Sequence, residues 1–252
     1  MDVLACLKRV PDTGAKIVLT DDQQSIDTAH LGFTMSPHEE CAVEEAVQLT
    51  EDGDGEATAL TLGPEDAAEQ VRTALAMQAD EGVVLETDGS EWGARNTAQA
   101  IADWVDAREE GFDLLLFGNE SADSSNYQVG VRVAEALGLP SVTGIKDLEV
   151  EDDTVVAKRE VAGGSEVYEL PQPAVVTVKE GLNTPRYASM RARMQARKQS
   201  VETATPERTS EPGLEKIRLE APEEEEGRAE ILGDGPDAVP AVMDVLEELE
   251  VL

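Results

Sequence analysis

Apolar segments the length of strands alternate with stretches of helical periodicity over residues 1–140, and this order constrains the fold more than any other feature. The helical stretches place apolar residues about three to four positions apart. Strands joined by helices of this length predict a mostly parallel sheet that is covered on both faces. The predicted strands are 2–10, 56–62, 82–86 and 112–117, and the predicted helices are 39–49, 63–77, 92–108 and 127–137.

Beyond residue 140 the apolar segments become short and are bounded by turn residues. Asp152-Asp153 and Gly163-Gly164 separate three of them, which predicts β-hairpins. A further apolar run at 174–178 predicts one more strand of the main sheet. The three hairpin segments are 148–150, 154–161 and 165–170.

Together these patterns predict an α/β fold with a mostly parallel sheet and helices on both faces. β-hairpin additions and a C-terminal extension complete it. We expect residues 1–200 to form the α/β domain, including a loop at about 183–198, and residues 201–252 to form an acidic linker and a partner-binding helix.

The net charge of −34 is extreme, and it argues against nucleic-acid binding, which needs clustered Lys and Arg. Because 40% of the residues are hydrophobic and fall in ordered blocks, a core can still form. An excess of acid of this size is typical of a salt-adapted proteome, where high salt screens the self-repulsion. The longest apolar runs are too short to cross a membrane, and Met1-Asp2-Val3-Leu4 does not begin a signal peptide, so we expect a cytoplasmic protein without direct membrane insertion.

The usual catalytic arrangements are missing from the sequence. His30 and His38 are the only histidines, which makes a histidine-based metal cluster or catalytic triad improbable. No glycine-rich dinucleotide or phosphate-loop motif follows any predicted strand. Cys6 and Cys41 lack metal-type spacing, and we expect them to be buried free thiols.

A polar loop at 118–130 follows an apolar strand and opens a helix. In open parallel sheets, ligands bind at the carboxyl ends of the strands, and the start of a helix favours anions. Ser121, Ser124 and Ser125 offer hydroxyls there, and Asp123 can cap or orient. The spacing alone fits a ligand-binding loop and a capped loop without a ligand equally well.

A basic segment interrupts the acidic composition. Five of the twenty bases fall in residues 186–198 with no acid among them, and Met190 and Met194 add adaptable apolar surface. The segment is either a helix that pairs with this protein's own acids or a docking surface for an acidic partner. Farther along, residues 237–251 repeat apolar residues at helical spacing after a polar linker, which predicts a helix that lies on another subunit or folds back.

These stretches resemble the beta subunit of electron transfer flavoproteins over residues 1–200. The resemblance lies in Lys8-Arg9-Val10-Pro11-Asp12, Met35-Ser36-Pro37 and Ala42-Val43-Glu44-Glu45-Ala46. It is most specific between residues 158 and 188, which include Leu170-Pro171, Pro173-Ala174-Val175-Val176-Thr177 and Leu182-Asn183-Thr184-Pro185-Arg186-Tyr187-Ala188.

The resemblance implies an electron carrier rather than an enzyme. In that family the beta subunit has a nucleotide-binding-like α/β fold and pairs with an alpha subunit that holds most of the FAD. The complex carries electrons from flavin-dependent dehydrogenases to a quinone oxidoreductase. The beta subunit holds AMP, and a recognition loop docks the dehydrogenase, which here implies Met190, Arg191, Arg193 and Met194. The implied nucleotide contacts are Cys6, Ser36, Leu62, Ser121, Ala122, Asp123, Asn126, Gln128, Val129 and Gly130.

Several positions depart from the family pattern. Thr13 replaces an aromatic residue that approaches the flavin in some relatives, and Ser36 replaces an asparagine. Electron-bifurcating relatives, which oxidise NADH, hold a second FAD in the AMP site. Because Asp123-Ser124-Ser125-Asn126 lacks their Gly, second Asp and Thr, the resemblance favours AMP and leaves a second FAD as the alternative.

Overall fold

A computed structural model describes residues 1–12, 14–51, 53–209, 216–222, 231–249 and 251. Contacts within the chain divide it into two units. The first comprises Met1–Val18 and Ile26–Lys216, and the second comprises Leu19–Ser25 and Ile217–Leu252.

The first unit contains twelve strands, five α-helices and a short 3₁₀ turn among the residues that the structure describes. In chain order the elements are β1 (Val3–Leu7), β2 (Val10–Pro11), β3 (Phe33–Thr34), α1 (Pro37–Thr50), β4 (Ala57–Gly63), α2 (Ala68–Ala76), β5 (Glu81–Glu86), α3 (Ala94–Asp106), β6 (Leu114–Gly118), α4 (Val129–Leu137), β7 (Ser141–Ile145), β8 (Asp147–Glu151), β9 (Thr154–Val161), β10 (Gly164–Pro171), β11 (Ala174–Val178), α5 (Met190–Ala196) and β12 (Glu202–Ala204).

The main sheet has seven parallel strands in the order β12-β5-β4-β1-β6-β11-β7. The chain builds outward from β1, first through β4 and β5 on one side and then through β6 and beyond on the other. The crevice beside β1, where this order reverses, is where open α/β sheets bind ligands. The predicted α/β fold is confirmed.

Both faces of the sheet are buried, as its continuous apolar strands require. Along β1, the side chains of Val3, Ala5 and Leu7 belong to one core with α1 and α2, while Leu4 and Cys6 belong to the other. The second core includes residues of α3 and α4. Helices on both faces therefore hold the carboxyl ends of the strands at one exposed edge.

The predicted hairpins form a separate antiparallel sheet in the order β10-β9-β8. Asp152 and Gly163 adopt left-handed backbone conformations at the two turns, with φ of 51° and 90°. Both turns lie where the sequence predicted them, because these residue types tolerate positive φ.

Two strands of the main sheet were not predicted. β7 is a short edge strand, and β12 falls at the start of the polar stretch that was interpreted as a linker. β12 lies parallel to β5, with Glu202 opposite Val83 and Ala204 opposite Leu85. An edge strand is paired on one side only and therefore needs little apolar sequence.

The second unit contains α6 (Val239–Glu248). Every residue of this helix, all within the described part of the chain, is exposed or half-buried. Its exposed apolar residues recur at helical spacing and include Val239, Val242, Met243, Val245 and, just beyond its end, Leu249. Elsewhere in this unit, the Leu219 amide donates a hydrogen bond to the Gln23 carbonyl at 2.8 Å.

Candidate functional site

A cavity of about 430 Å³ opens at the carboxyl edge of the main sheet. It lies where β1, β4 and β6 end, which is the position that the reversal of strand order predicts. Its volume falls in the usual range for small-molecule sites. The fold therefore brings the sequence-predicted loop to a real concavity.

Most of the predicted nucleotide contacts line this cavity, and two do not. Ala122 is exposed on the loop outside the cavity wall, and Ser36 is buried at the residue before α1. The predicted residues that line it are Cys6, Leu62, Ser121, Asp123, Asn126, Gln128, Val129 and Gly130.

The 118–130 loop is tied to the end of β1 by an ion pair. Lys8 Nζ lies 2.7 Å from Asp123 Oδ2 and donates to Ser124 Oγ at 3.3 Å. Desolvation opposes ionisation of Asp123, but the Lys8 charge and several hydrogen bonds outweigh it and lower the pKa of the carboxyl. The ion pair with Asp123 thus holds Lys8 at the cavity wall.

Two non-glycine residues of this loop adopt left-handed backbone conformations. Ser125 has φ of 45° and Tyr127 has φ of 54°. Such conformations cost on the order of 1 kcal/mol each and concentrate at functional sites. The Ser125 amide donates to the Ser121 carbonyl at 3.0 Å, so the loop's own hydrogen bonds hold part of this conformation. Both interpretations of the loop therefore stay predictions.

The starts of two helices face the same cavity. The Val129–Gly130 start of α4 and the Gly93–Ala94 start of α3 both line it. The first amides of a helix have no partner within the helix and carry partial positive charge, so they suit an anionic group such as a phosphate.

Close packing brings the start of α1 to the same edge. A Cβ on Gly118 would lie 2.8 Å from Glu39 Cγ, so only glycine permits this approach. Glu39 is buried, lines the cavity and accepts a hydrogen bond from the Ser36 amide at 2.9 Å. Burial raises its pKa to about 7 against the hydrogen bonds from Ser36. The carboxyl of Glu39 therefore occupies the start of α1. The starts of α3 and α4 are the two helix ends that can bind an anion in the cavity.

The opposite wall of the cavity was not predicted from the sequence. Thr87, Ser90 and Trp92 line it from the loop that joins β5 to α3, and Thr97 lines it from the first turn of α3. This loop has the features that identified 118–130: it follows an apolar strand, contains small polar residues and opens a helix. Lys8 and Arg9 were noted only as part of a resemblance, yet both line the cavity and supply its positive charge.

The walls combine groups that suit a nucleotide. Leu62, Ile101, Phe117 and Trp92 offer apolar surface for a base, and the loop hydroxyls and amides can hydrogen-bond a sugar. Lys8, Arg9 and the two helix starts suit phosphate. Among the described residues, no three metal-ligating side chains cluster, and no helix is both long and apolar enough to cross a membrane.

Comparison with known proteins identifies the family. The family model described as the electron transfer flavoprotein domain matches residues 25–209. Electron transfer flavoprotein subunit beta of Bacillus subtilis is 35% identical over 237 residues, covering 90% of this chain and 91% of the relative. The chain belongs to the beta-subunit family of electron transfer flavoproteins. The proteins of the same name from Syntrophomonas wolfei (38% identical, 81% of this chain and 79% of the relative) and Dictyostelium discoideum (33%, 82% and 82%) agree.

In this electron transfer flavoprotein chain the basic segment divides into two parts. Arg186 forms ion pairs with Glu44 and Glu51, and its Nε lies 2.9 Å from Glu44 Oε2. Burial opposes ionisation of Glu44, but the hydrogen bonds from Arg186 lower its pKa. Arg186 therefore behaves as the salt-bridge interpretation predicts.

The helix that follows, α5, does not behave as the salt-bridge interpretation predicts. Among the described residues, Arg191, Arg193, Arg197 and Lys198 form no ion pair. Met190 is 75% exposed and Met194 is 61% exposed. The buried side chain of Ala196 anchors α5 to the core. The structure places all four predicted docking residues together on one exposed helix. Thr13 lies outside the described residues.

Proposed function

We propose that this chain is the beta subunit of a heterodimeric electron transfer flavoprotein. With an alpha subunit that holds most of the FAD, it carries electrons from flavin-dependent dehydrogenases to a quinone oxidoreductase. The observation that carries the proposal is the match of nearly the whole chain to Bacillus subtilis electron transfer flavoprotein subunit beta. The FAD supplies the redox chemistry, and this chain supplies binding surfaces.

Co-expression with the alpha subunit tests this role. The purified complex is expected to show a flavin spectrum and to pass electrons from a reduced flavin dehydrogenase to a quinone analogue, whereas neither subunit alone does so. A complex that forms but contains no flavin would refute the proposal.

The cavity is proposed to hold AMP. Two helix starts and two cations suit a single phosphate, and the wide apolar wall suits a base. Lys8, Ser121, Ser124, Asn126 and Gln128 line the cavity and are proposed to hydrogen-bond the sugar and phosphate. The alternative is a second FAD in the same cavity with oxidation of NADH. Anaerobic NADH distinguishes the two, because it should bleach the flavin only in the bifurcating case.

Dehydrogenase docking is proposed for the surface formed by Met190, Arg191, Arg193 and Met194. Its support is the exposure of two methionines beside arginines that lack acidic partners within the described residues. Tyr187, 87% exposed and 5.1 Å from the Arg193 guanidinium, extends it.

The exposed apolar side of α6 is proposed to contact the alpha subunit. Valines at Val239, Val242 and Val245 would otherwise remain in water, which destabilises a helix of this length. Val242→Lys should weaken assembly with the alpha subunit in size-exclusion chromatography. Unchanged assembly would remove α6 from that interface.

A further inference from the structure

A segment downstream of α5 grips one wall of the cavity. We call residues 205–209 the strap. It leaves β12, which is fixed to the edge of the sheet by pairing with β5. Trp104 Nε1 also donates a hydrogen bond to Glu202 Oε1 at 3.3 Å, which anchors the start of β12 to α3. The strap thus begins from a fixed point of the first unit.

Arg208 reaches from the strap to three consecutive residues of the cavity wall. Its Nη1 donates to Ser90 Oγ at 3.2 Å, and its Nη2 donates to the Glu91 carbonyl at 2.8 Å. The guanidinium carbon lies 5.6 Å from the centre of the Trp92 ring, within the range of a cation–π contact. All three wall residues line the cavity.

Two further contacts reinforce this attachment. Thr209 Oγ1 hydrogen-bonds Asn96 Oδ1 on the first turn of α3, and Lys216 pairs with Glu91. Thr87 is tied to the end of β4, where its amide donates to the Gly63 carbonyl at 2.9 Å. Beyond it the wall's own hydrogen bonds are local: Ser90 bonds through its amide and its hydroxyl to Asp88 Oδ1, at 3.0 and 2.6 Å. A loop held by local contacts opens readily unless a distant segment fixes it, and Arg208 supplies that connection.

We propose that Arg208 is a positioning residue of the nucleotide site. Through Ser90, Glu91 and Trp92 it holds the 88–93 loop, and with it the start of α3 at Gly93, against the bound nucleotide. The guanidinium does this through a planar pair of donors and a ring contact, which an ammonium group cannot reproduce. The inference rests on the proposed function, because it requires the cavity to hold a nucleotide.

Two measurements on the heterodimer with the full chain test the proposal: the affinity for AMP and the hydrogen exchange of the 88–93 loop. Arg208→Ala should raise the dissociation constant of AMP, measured by equilibrium dialysis, about tenfold. Arg208→Lys should recover only part of that loss. Arg197→Ala is the matched control, since it removes an exposed arginine upstream of the strap, and it should bind AMP as the wild type does.

Hydrogen exchange of residues 88–93 in the nucleotide-free complex gives a readout that does not depend on binding. Arg208→Ala should speed exchange there, and Arg197→Ala should not. Unchanged exchange, unchanged AMP affinity, or full recovery by lysine would each overturn the proposal. If the wild type binds FAD instead, the same comparison applies to FAD. If it binds neither nucleotide, the proposed nucleotide site fails, and Arg208 can no longer be a positioning residue for it.

Discussion

At the scale of single residues, Glu39 is the most informative side chain, because its carboxyl is buried beside the cavity and its chain neighbours hold it there. Lys8 is the cation that faces Glu39. Burial nevertheless raises the pKa of the Glu39 carboxyl from 4.5 to about 7. A carboxyl with a raised pKa in the folded state stabilises the fold fully below its unfolded pKa, and this contribution is lost as the pH rises through about 7.

Glu39→Gln should therefore change how stability depends on pH. The free energy of unfolding of the variant should exceed that of the wild type by an amount that grows with pH. The difference should be small at pH ~5 and reach about 3 kcal/mol above pH ~7.5. Thermal melts of the heterodimer across this pH range measure the difference. Glu69→Gln, an exposed change on α2, should run parallel to the wild type throughout. If the curves of Glu39→Gln and wild type are parallel too, the carboxyl does not titrate in this range.

At the scale of elements, α5 presents two kinds of docking group on one surface. An apolar anchor and exposed arginines respond differently to salt, because the Debye length at 1 M is about 3 Å and apolar contact is not screened. Met190→Ala should weaken dehydrogenase docking by about 1–4 kcal/mol, or about fivefold to several-hundredfold, with flavin content unchanged.

Arg191→Ala and Arg193→Ala are the comparison in molar salt, where each should matter less than Met190→Ala. The rate of electron transfer from a reduced dehydrogenase, measured against carrier concentration, reports docking for each variant. If Met190→Ala matches the wild type while either arginine variant fails, the surface is electrostatic. If all three match the wild type, α5 is not the docking site.

Elements with a strong apolar pattern were predictable, and those fixed by tertiary pairing were not. The strand 114–118 and the loop after it followed from an apolar run, small polar residues and helical spacing. β12 consists only of Glu202-Thr203-Ala204, which has no apolar pattern that would predict a strand. It is held by pairing with β5, more than a hundred residues earlier in the chain. The same holds for Arg186, whose partner Glu44 lies far away in sequence. Its ion pairs could be recognised only once the fold was known.

At the scale of the whole molecule, the net charge of −34 determines how the stability of the fold depends on salt. Self-repulsion between acids destabilises the compact state, and salt screens it. The melting temperature should rise by at least about 5 °C between ~0.1 and ~2 M KCl. Scanning calorimetry in KCl and, as a control for salt-specific effects, in NaCl measures this. A flat response would show that the acids are already compensated in the fold.

The central claim is that this chain holds a nucleotide at the carboxyl edge of its sheet while its alpha partner holds the flavin. The most direct measurement is the nucleotide content of the purified heterodimer, released by denaturation and counted by mass spectrometry. We expect a single FAD and a single AMP per heterodimer, with AMP lost selectively when Gln128→Ala and Asn126→Ala are combined at the 118–130 loop. Two FAD without AMP would assign the cavity to a second flavin, and a heterodimer with FAD but no nucleotide in this chain would contradict the account.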